Sequence, residues 1–396
     1  MERDEKANLH AVAGRLCSEK LERRLAVKKS SKKKSEQLSE KTMKDGVAAI
    51  GMDLSDRTGK FYAIDDEGKK IADGTIALRT PELEKWAMSI ARTVIAIEAG
   101  THSLWISRLL TKCGHEVIVA NPVKVALITQ NVQKTDPVDA EYLARLARLD
   151  RKLLFPIQHR GEQAQIDLQV IRTRDVAVQV RSKLISHLRG AVKSFGARLS
   201  KCSTEAFVNT TRKEIPETLK TALDPMFEQI DRLTKTINGY ERQVLKLVEQ
   251  RYPEVKMVTQ IKGVGALTGL AFVLVLEDAR RFASSRSVGP YLGLTSKRDQ
   301  SGDSDPQRGI TRAGNRLLRR LLVQSAHYIL GPFGEDSDLR RHGEKIAARG
   351  GKRAKKRATI AVARKLSVLM HRLWVSGETY EPLRNYFNSV PVTKAA

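Results

Sequence analysis

Cysteine is scarce in this sequence, and its few copies are placed in a way that excludes two kinds of site. The chain of 396 residues contains three, Cys17, Cys113 and Cys202, and no two of them form a Cys-x-x-Cys pair. The sequence therefore indicates neither a zinc site nor a disulfide framework. This usage is typical of a protein in a reducing compartment.

Long apolar runs are also missing. No stretch approaches the ~20 consecutive apolar residues that a membrane-spanning helix needs. The N-terminus is rich in charged residues and has no apolar segment of the signal-peptide kind. We therefore expect a cytoplasmic protein without a transmembrane segment.

Acidic residues are the third shortage. Lys and Arg number 71 against 45 Asp and Glu, which gives a formal net charge of +26. A protein this basic most often works beside polyanions, and nucleic acid is the commonest of them. The alternative is a ribosome-associated protein or a basic surface that is merely solvated. The charge balance predicts a protein that binds nucleic acid.

The first 45 residues differ in composition from the rest of the chain. They are charged and poor in large apolar groups, with "KKSSKKKSEQ" at 28–37. Such a segment cannot bury enough apolar surface to offset the loss of chain entropy on folding. We predict a basic, disordered extension over 1–45, in a chain whose length favours about two or three domains.

Strand and helix patterns alternate from residue 46 to about 158. "GVAAIGMDLS" is a short apolar run that ends in an acid, and "KFYAIDDEGKKIADGTIAL" predicts two strands joined by a turn at Asp66–Gly68. A helix from Pro81, the strand "TVIAIEAG", a helix that stops at Gly114, the strand "HEVIVANP" and a helix from Asp136 follow. The alternation predicts an α/β domain over 46–158.

Residues 163–252 show helical periodicity. Apolar residues first recur every four positions, at Val176, Val180, Leu184, Leu188 and Val192. A second series alternates steps of four and three, at Met226, Ile230, Leu233, Ile237, Tyr240, Val244 and Leu247. This heptad spacing favours a coiled coil or a helical hairpin, and an ordinary bundle core is the alternative.

Four carboxylates occupy positions from which they could meet. Asp53 and Glu98 each end a predicted strand, and Asp136 and Asp139 lie three apart at the start of a predicted helix. Ligands of open α/β sheets gather outside the carboxyl ends of the strands. Clustered carboxylates repel one another unless cations neutralise them, and sites built only from oxygen suit Mg²⁺ or Mn²⁺. Two such ions, about 3.5–4 Å apart, activate the attacking oxygen and stabilise the leaving oxygen in phosphodiester cleavage.

Each of these acids has a simpler interpretation as well. Asp136 before Pro137 is a good helix N-cap, with Asp139 in the first turn, and capping alone would explain that pair. Asp53 could cap a turn. The neighbouring acids Asp56, Asp65 and Asp66 fall in predicted turns and rank lower. The four together, in this order, favour a metal site for phosphate chemistry.

Residues 256–330 form a third block with a polar, glycine-bearing loop, "SKRDQSGDSD". Ser301 precedes Gly302 there, and Arg298, Arg308 and Arg312 flank it. A serine can attack phosphorus when neighbouring cations stabilise the anionic transition state, and arginine grips phosphate oxygens in pairs. From the residues alone, a Ser-Gly loop is more often an ordinary turn.

Two other segments of this block suit phosphate contact. "IKGVGALTG" is similar to the hairpin of helix-hairpin-helix modules, and a plain turn between helices is an equal alternative. "GITRAGNRLLRRLLVQSA" predicts a basic helix, with Arg316, Arg319 and Arg320 available for phosphate. Residues 331–396 add the basic segment "RGGKRAKKR" and a helix with one apolar face.

Six segments together resemble one protein family, over about residues 46–380. They are "GMDLS", "AIEAGTHSLW", "NPVKVALITQNVQKTDPVDAEYLARL", "IKGVGALTGLAFVLVLEDARRFASSRSVGPYLGL", "SGDSDPQRGITRAGNRLLRRLLVQSA" and "RKLSVLMHRLW". In this order they resemble the DEDD transposases of the insertion-sequence one-ten family and its one-eleven-eleven relatives. The implied fold is an α/β RNase H-like (RuvC-like) domain, an α-helical coiled coil and a mostly α-helical C-terminal transposase domain.

The resemblance also implies roles for these regions. The RuvC-like nuclease domain would span 46–158, with Asp53, Glu98, Asp136 and Asp139 binding Mg²⁺ or Mn²⁺. The coiled coil over 163–252 would serve dimerisation. The second transposase domain, 256–330, would carry Ser301 as a nucleophile that forms a phosphoserine link to DNA beside the carboxylate site of another protomer. A basic segment and a C-terminal helix would complete the chain at 331–396.

The partners implied by the family are the DNA of the element ends and target, and a guide RNA encoded by the element, the bridge RNA. The chain would form a homodimer that assembles into a tetramer, in the cytoplasm of a bacterium and associated with its nucleoid. We predict a site-specific recombinase that moves an insertion sequence. Two alternatives remain: a structure-selective resolvase without a covalent serine step, and a non-enzymatic basic scaffold. Ser304, three residues after Ser301, is the other candidate nucleophile.

Overall fold

The computed structural model describes residues 43, 46–125, 136–298, 300–302, 304 and 308–385, without the side chains of Asp136 and Pro137. The predicted N-terminal extension over 1–45 lies outside the described residues, except for Met43. The chain divides into two compact units, Met1–His159 and Arg160–Ala396. No helix in these described stretches is both long and apolar enough to cross a bilayer.

A five-stranded mixed sheet forms the centre of the first unit. Its strands are β1 (Ala49–Leu54), β2 (Thr58–Ile64), β3 (Lys70–Ala77), β4 (Val94–Glu98) and β5 (Glu116–Ala120), in the order β3-β2-β1-β4-β5. Strand β2 pairs antiparallel with both β1 and β3, whereas β4 and β5 run parallel to β1. The predicted hairpin with its turn at Asp66–Gly68 is confirmed.

Helices flank this sheet. They are α1 (Thr80–Ser89), α2 (Ser103–Lys112), the short α3 (Pro122–Val125) and α4 (Asp136–Leu149), followed by a 3-10 turn at Arg151–Leu154. One face of the sheet, with Ile50, Met52 and Ile97, packs in the same core as Leu83 of α1 and Ile106 of α2. The predicted order of strands and helices is confirmed, and the mixed sheet with flanking helices fits an RNase H-like fold.

The opposite face of the sheet is covered by α4, which lies unusually close to β1. Ala49 and Ala96 share a core with Leu143 and Ala144 on this face. A Cβ atom added to Gly51 would overlap the backbone carbonyl oxygen of Ala140. Glycine is therefore required at this position, because any side chain would push the helix away from the strand.

The direction of α4 follows from contacts at its C-terminal end. Arg148 Nη1 donates to the Asp66 carbonyl at 2.8 Å, and Arg145 Nη1 donates to the Gly68 carbonyl at 3.2 Å. These carbonyls lie in the β2–β3 turn, beside the start of β1, because Ala49 pairs with Ile64. Helix α4 therefore runs antiparallel to β1, and its N-terminus lies at the edge of the sheet where β1 and β4 end.

The second unit begins with two long helices that pack antiparallel, α5 (Glu162–Lys193) and α7 (Glu217–Gln250). Arg174 of α5 pairs with Glu241 at 2.6 Å, and Arg181 Nη1 donates to Thr234 Oγ1 at 3.2 Å. Short α6 (Phe207–Thr211) and a 3-10 turn (Arg212–Glu214) join them. All seven residues of the predicted heptad series on α7 are buried or half-buried. The pair is a helical hairpin, one of the two arrangements that the spacing favoured.

The helix predicted from the four-residue series is confirmed, but the first two residues of that series are exposed. Val176 is 58% exposed and Val180 is 40% exposed, whereas Ala177 and Arg181 are buried. The buried stripe is displaced by one residue, and Arg181 within it has partners outside its own helix. Its guanidinium pairs with Glu205 at 2.8 Å in addition to its bond to Thr234.

An ion pair to a buried acid joins the two chain segments at the open end of this hairpin. Asp167 of α5 is only 4% exposed, and both of its carboxylate oxygens accept from Arg251 Nη1, at 2.9 and 3.0 Å. The Tyr252 hydroxyl donates to the same carboxylate at 2.7 Å. Burial, together with this carboxylate, raises the pKa of Tyr252. The phenol is therefore held as a donor that compensates the buried charge of Asp167.

The remaining helices of the second unit surround α9 (Ala266–Leu276), which is buried along most of its length. They are α8 (Val255–Thr259), α10 (Val288–Tyr291), α11 (Arg316–Leu330), α12 (Asp338–Ala347) and α13 (Ala354–Ser376), with 3-10 turns at Ala279–Arg281 and Ser285–Ser287. The shared core contains Phe272, Leu322 and Leu366. Helix α9 has no polar face because other helices surround it on all sides.

Candidate functional site

Asp53 and Glu98 are neighbours at the carboxyl edge of the sheet. Strands β1 and β4 are parallel, and their last registered pair is Met52 with Ile97. Asp53 and Glu98 come next on each strand, so they point to the same face, the one that α4 covers. Both residues are half-buried. The structure therefore brings together two acids that are far apart in sequence.

The other two acids lie in the first turn of α4. Asp139 is half-buried, whereas the side chain of Asp136 lies outside the described residues. The direction of α4 brings this turn to the edge of the sheet that carries Asp53 and Glu98. Among the described side chains, no three His, Cys, Asp or Glu are grouped so that they could hold a metal ion. Asp53, Glu98 and Asp139 offer carboxylate oxygens at this edge, the type of ligand that suits Mg²⁺ or Mn²⁺.

A depression at this edge exposes the two strand-end acids. It is lined by Asp53, Leu54, Ser55, Asp56, Glu98, Ala99, Gly100, Thr101 and His102. Asp56 has a side chain that is 92% exposed, and its Oδ1 lies 3.8 Å from His102 Nε2. A polyanionic backbone could enter this depression from solvent.

His102 is a part of the site that the sequence reasoning missed. Trp105 Nε1 donates to His102 Nδ1 at 3.1 Å. Because an indole nitrogen can only donate, Nδ1 must accept, and the proton of the neutral imidazole lies on Nε2. The His-x-x-Trp spacing at a helix start was the available signal, since residues three apart meet on a helix surface.

Ser301 lies at the tip of a short antiparallel hairpin. Ser296 bridges to Ile310, Lys297 N donates to the Gly309 carbonyl at 2.8 Å, and Thr311 N donates to the Thr295 carbonyl at 2.9 Å. At the tip, Ser301 and Ser304 exchange two backbone hydrogen bonds of 3.0 Å. Both serines are exposed. The Ser-Gly segment is therefore a closed turn that presents two hydroxyls to solvent.

The base of this serine hairpin is clamped. Gly293 and Gly314 have positive φ angles of 67° and 69°, and a Cβ on either would overlap backbone atoms of Ala313 or Tyr291. Arg312, between them, also adopts a left-handed φ of 59°, although it is not glycine. Its N–H donates to the Gly293 carbonyl at 3.2 Å. The tight packing of the two segments holds an exposed arginine in a strained backbone conformation.

We expect the free energy of unfolding of Arg312→Gly to exceed that of Arg312→Ala by about 1 kcal/mol, as measured by urea denaturation. The reason is that a left-handed conformation costs a residue with a Cβ roughly 1–2 kcal/mol, and glycine is released from that cost. Both variants lose the guanidinium, so the comparison isolates the backbone. Equal stability of the two variants would show that this conformation carries no strain.

The six predicted phosphate-binding arginines fall into two groups. Arg298, Arg308, Arg312 and Arg316 are exposed around the serine hairpin and at the start of α11. Arg319 is half-buried and donates to the carbonyls of Leu292 and Ala313, at 3.0 and 2.6 Å. Burial, and the nearby Arg312 and Arg316, lower the pKa of Arg319.

Arg320 pairs with Asp175 of α5. Arg319 and Arg320 therefore tie α11 to the base of the serine hairpin and to the long helical hairpin. The glycine-bearing turn joins α8 to α9, and its Lys262 pairs with Glu335. Its two interpretations, a phosphate-binding hairpin and a plain turn, both fit this geometry.

Comparisons with known proteins identify the two parts of the chain. A family model for DEDD transposases of the IS110 type, described as "Transposase", matches residues 50–196, which include Asp53, Glu98, Asp136 and Asp139. A second model, described as "Transposase IS116/IS110/IS902 family", matches residues 255–341, which include Ser301.

Relatives cover most of the chain. It is 28% identical to a putative transposase of Sinorhizobium fredii, over 84% of this chain and 86% of the relative. It is 24% identical to the transposase for insertion sequence element IS1111A of Coxiella burnetii, over 86% of this chain and 93% of the relative. A probable family 20 transposase of Pseudomonas aeruginosa is 23% identical, over 74% of this chain and 87% of the relative. With both family models matched in order, the chain belongs to the IS110/IS1111 family of DEDD transposases, enzymes that act on the phosphodiester bonds of DNA.

Proposed function

We propose that this transposase is a site-specific recombinase that moves an insertion sequence, with a metal-binding carboxylate cluster and a serine nucleophile. One observation carries the proposal: Asp53 and Glu98 follow the same registered pair of parallel strands, and the acid-bearing turn of α4 lies at that edge. Acids at adjacent strand ends can bind cations there, and the cations in turn can bind the phosphates of the substrate.

The residues that would hold the metal are Asp53, Glu98, Asp136 and Asp139. DEDD transposases generally use divalent metal, and Mg²⁺ or Mn²⁺ fits a set of carboxylate oxygens. Bound there, the ions would lower the barrier to phosphodiester exchange by stabilising the attacking and leaving oxygens. The carboxylates themselves would hold and orient the ions.

Ser301 is the proposed nucleophile. Its Oγ loses its proton and forms a bond to phosphorus as the bond from phosphorus to the departing strand's oxygen breaks. That oxygen takes up a proton, so the step is balanced. One phosphate ester replaces another, so the phosphoserine link retains the energy needed to rejoin DNA to a new strand. The exposed hydroxyl at the tip of the serine hairpin supports this role.

The proposed nucleic-acid contacts are Arg298, Arg308, Arg312 and Arg316 around that hairpin, whose guanidinium groups can pair with phosphate oxygens. Arg319 and Arg320 remain proposed contacts too, although both already bind partners within the chain. The division into a RuvC-like domain (46–158), a coiled-coil region (163–252), a second transposase domain (256–330) and a basic C-terminal segment (331–396) is part of the same proposal.

The proposed assembly is a homodimer through the α5–α7 hairpin that pairs into a tetramer, so that Ser301 of one protomer works at the carboxylate site of another. The exposed Val176 and Val180 on α5 give this hairpin an apolar strip for such contact. We also propose guidance by an element-encoded bridge RNA, in a nucleoid-associated complex. Specificity would then come from base pairing rather than from this chain.

A single assay tests the proposal. The purified protein is incubated with element RNA and supercoiled DNA that carries the element ends, with Mg²⁺ or with a chelator. We expect strand exchange and a protein–DNA adduct that survives denaturation, both only with Mg²⁺. Cleavage without an adduct would favour the resolvase alternative. Binding that weakens steeply with salt, without any cleavage, would favour the scaffold.

A further inference from the structure

A long segment near the C-terminus contains no acid at all. Between Glu344 and Glu378 every charged residue is Lys or Arg. The nearest carboxylate, Glu344, already accepts from Arg340 at 2.8 Å. The positive charge in the first part of this segment is therefore not offset by acids of the same segment.

The fold concentrates these cations at one place. Helix α12 packs against α13, with Gly343 against Val362, and a tight turn with Gly350 and Gly351 joins them. The exposed cations of the last turn of α12, the connecting turn and the first turn of α13 form what we name the α12–α13 basic patch. It consists of Lys345, Arg349, Lys352, Arg353, Lys355, Lys356 and Arg357.

The pKa of a neighbouring histidine indicates that the positive potential here is shared between the two helices. Burial lowers the pKa of His342, and the charges of Lys365, Arg349 and Lys345 lower it further. These cations come from both α12 and α13. Their charges add at one point on the surface.

The charges at the start of α13 are unfavourable for its helix dipole. A helix N-terminus carries about half a positive charge, which acids in the first turn normally offset. The first turn of α13 contains Lys355, Lys356 and Arg357 and no acid, and the side chain of its N-cap residue, Arg353, makes no capping hydrogen bond. Bound anions would relieve this repulsion.

The kind of anion follows from what the patch lacks. No Phe, Tyr or Trp occurs from Gly334 to Leu373. Unpaired bases are held largely by stacking on aromatic side chains, so the patch has no platform for single strands. A duplex offers one phosphate charge per ~1.7 Å of its axis and needs no stacking.

We propose that the α12–α13 basic patch binds the phosphate backbone of duplex DNA, without regard to sequence, at a place separate from the serine hairpin. This deepens the proposed function by naming a surface that holds the DNA substrate. It does not depend on the roles of Ser301 or of the carboxylates.

The test measures affinity for a random 30-base-pair duplex as a function of NaCl. The triple variant Lys352→Gln, Arg353→Gln and Lys356→Gln is compared with a control that loses the same charge at exposed lysines of the first unit: Lys69→Gln, Lys85→Gln and Lys152→Gln. We expect the patch variant to bind about tenfold more weakly at 0.1 M salt, with a slope of log K against log salt lower by up to about 2.7. The control should change less than twofold.

Two further measurements keep the result unambiguous. A second variant, Lys345→Gln with Arg349→Gln, removes charge from the α12 side of the patch and should weaken binding in the same way. The unfolding temperature should not fall in either variant, because both variants reduce the repulsion between like charges. Equal affinity and slope in patch and control variants would overturn the proposal, as would a loss confined to duplex RNA. Asp53→Asn should leave this binding intact, so failure of the carboxylate site is distinguishable from failure of the patch.

Discussion

Replacing Asp53 by asparagine is expected to abolish Mg²⁺-dependent strand cleavage in a protein that remains folded. Asn has nearly the same shape as Asp, but it removes one negative charge from the edge where β1 and β4 end. Loss of a group that stabilises charge in a transition state typically costs about 10²–10³-fold in rate, and a metal ligand should cost at least that much. The measurement is the single-turnover cleavage rate on supercoiled DNA.

The matched control for this variant is Asp56→Asn. Asp56 lines the same depression, and its side chain is 92% exposed. If Asp53 binds metal and Asp56 does not, the control should keep its rate within about threefold, as expected of a surface substitution. Comparable loss in both variants would mean that the depression needs negative charge in general rather than a ligand at 53.

Stability provides a readout that is independent of catalysis. A metal ion that binds the folded state raises the free energy of unfolding with its concentration. We expect Mg²⁺ or Mn²⁺ to stabilise the wild-type protein and to have much less effect on Asp53→Asn. In a chelator the order should reverse or vanish, because one of several mutually repelling carboxylates is gone. An unchanged metal response in Asp53→Asn would exclude Asp53 as a ligand.

The second large effect is expected from Ser301→Ala. It should eliminate the denaturation-resistant adduct and lower strand exchange by about 10⁴-fold or more, the scale seen when a covalent nucleophile is removed. The serine hairpin should persist, since Ser301 and Ser304 are joined through backbone atoms that alanine retains. DNA affinity should therefore stay near the wild-type value.

Ser304→Ala serves as the control, because it is a neighbour in the same turn and equally exposed. It should form the adduct at close to the normal rate. If the outcomes are exchanged, the nucleophile is Ser304. If both variants exchange strands normally, the covalent step is absent and a hydrolytic resolvase accounts for the chemistry.

The sheet was predictable because strand patterns are local. Short apolar runs bounded by turns predicted β1, β4 and β5, and the acids at the ends of two of them predicted a common edge. That Asp53 and Glu98 follow one registered pair is a consequence of parallel pairing, which the sequence implies only once both strands are known to be adjacent.

Long-range partners explain what was not predictable. On α5 a four-residue spacing fits two stripes one residue apart, and the choice between Val176 and Ala177 depends on how α5 packs against α7. Likewise, the sequence predicts Arg320 as an available cation on a basic helix, whereas in the structure it pairs with Asp175 of α5. His102 was not predicted because its place in the depression depends on its closeness to Asp56, which is far from it in the sequence.

Gly51 sets how far apart the two halves of the carboxylate edge can be. Gly51 has no side chain, and the backbone of α4 contacts it directly, with nothing between helix and strand. A methyl group there would act as a wedge and lift the first turn of α4, with Asp139, away from Asp53. The distance between Asp139 and Asp53 therefore depends on the absence of a side chain at position 51, and a substitution there should have an effect similar to replacing one of these acids.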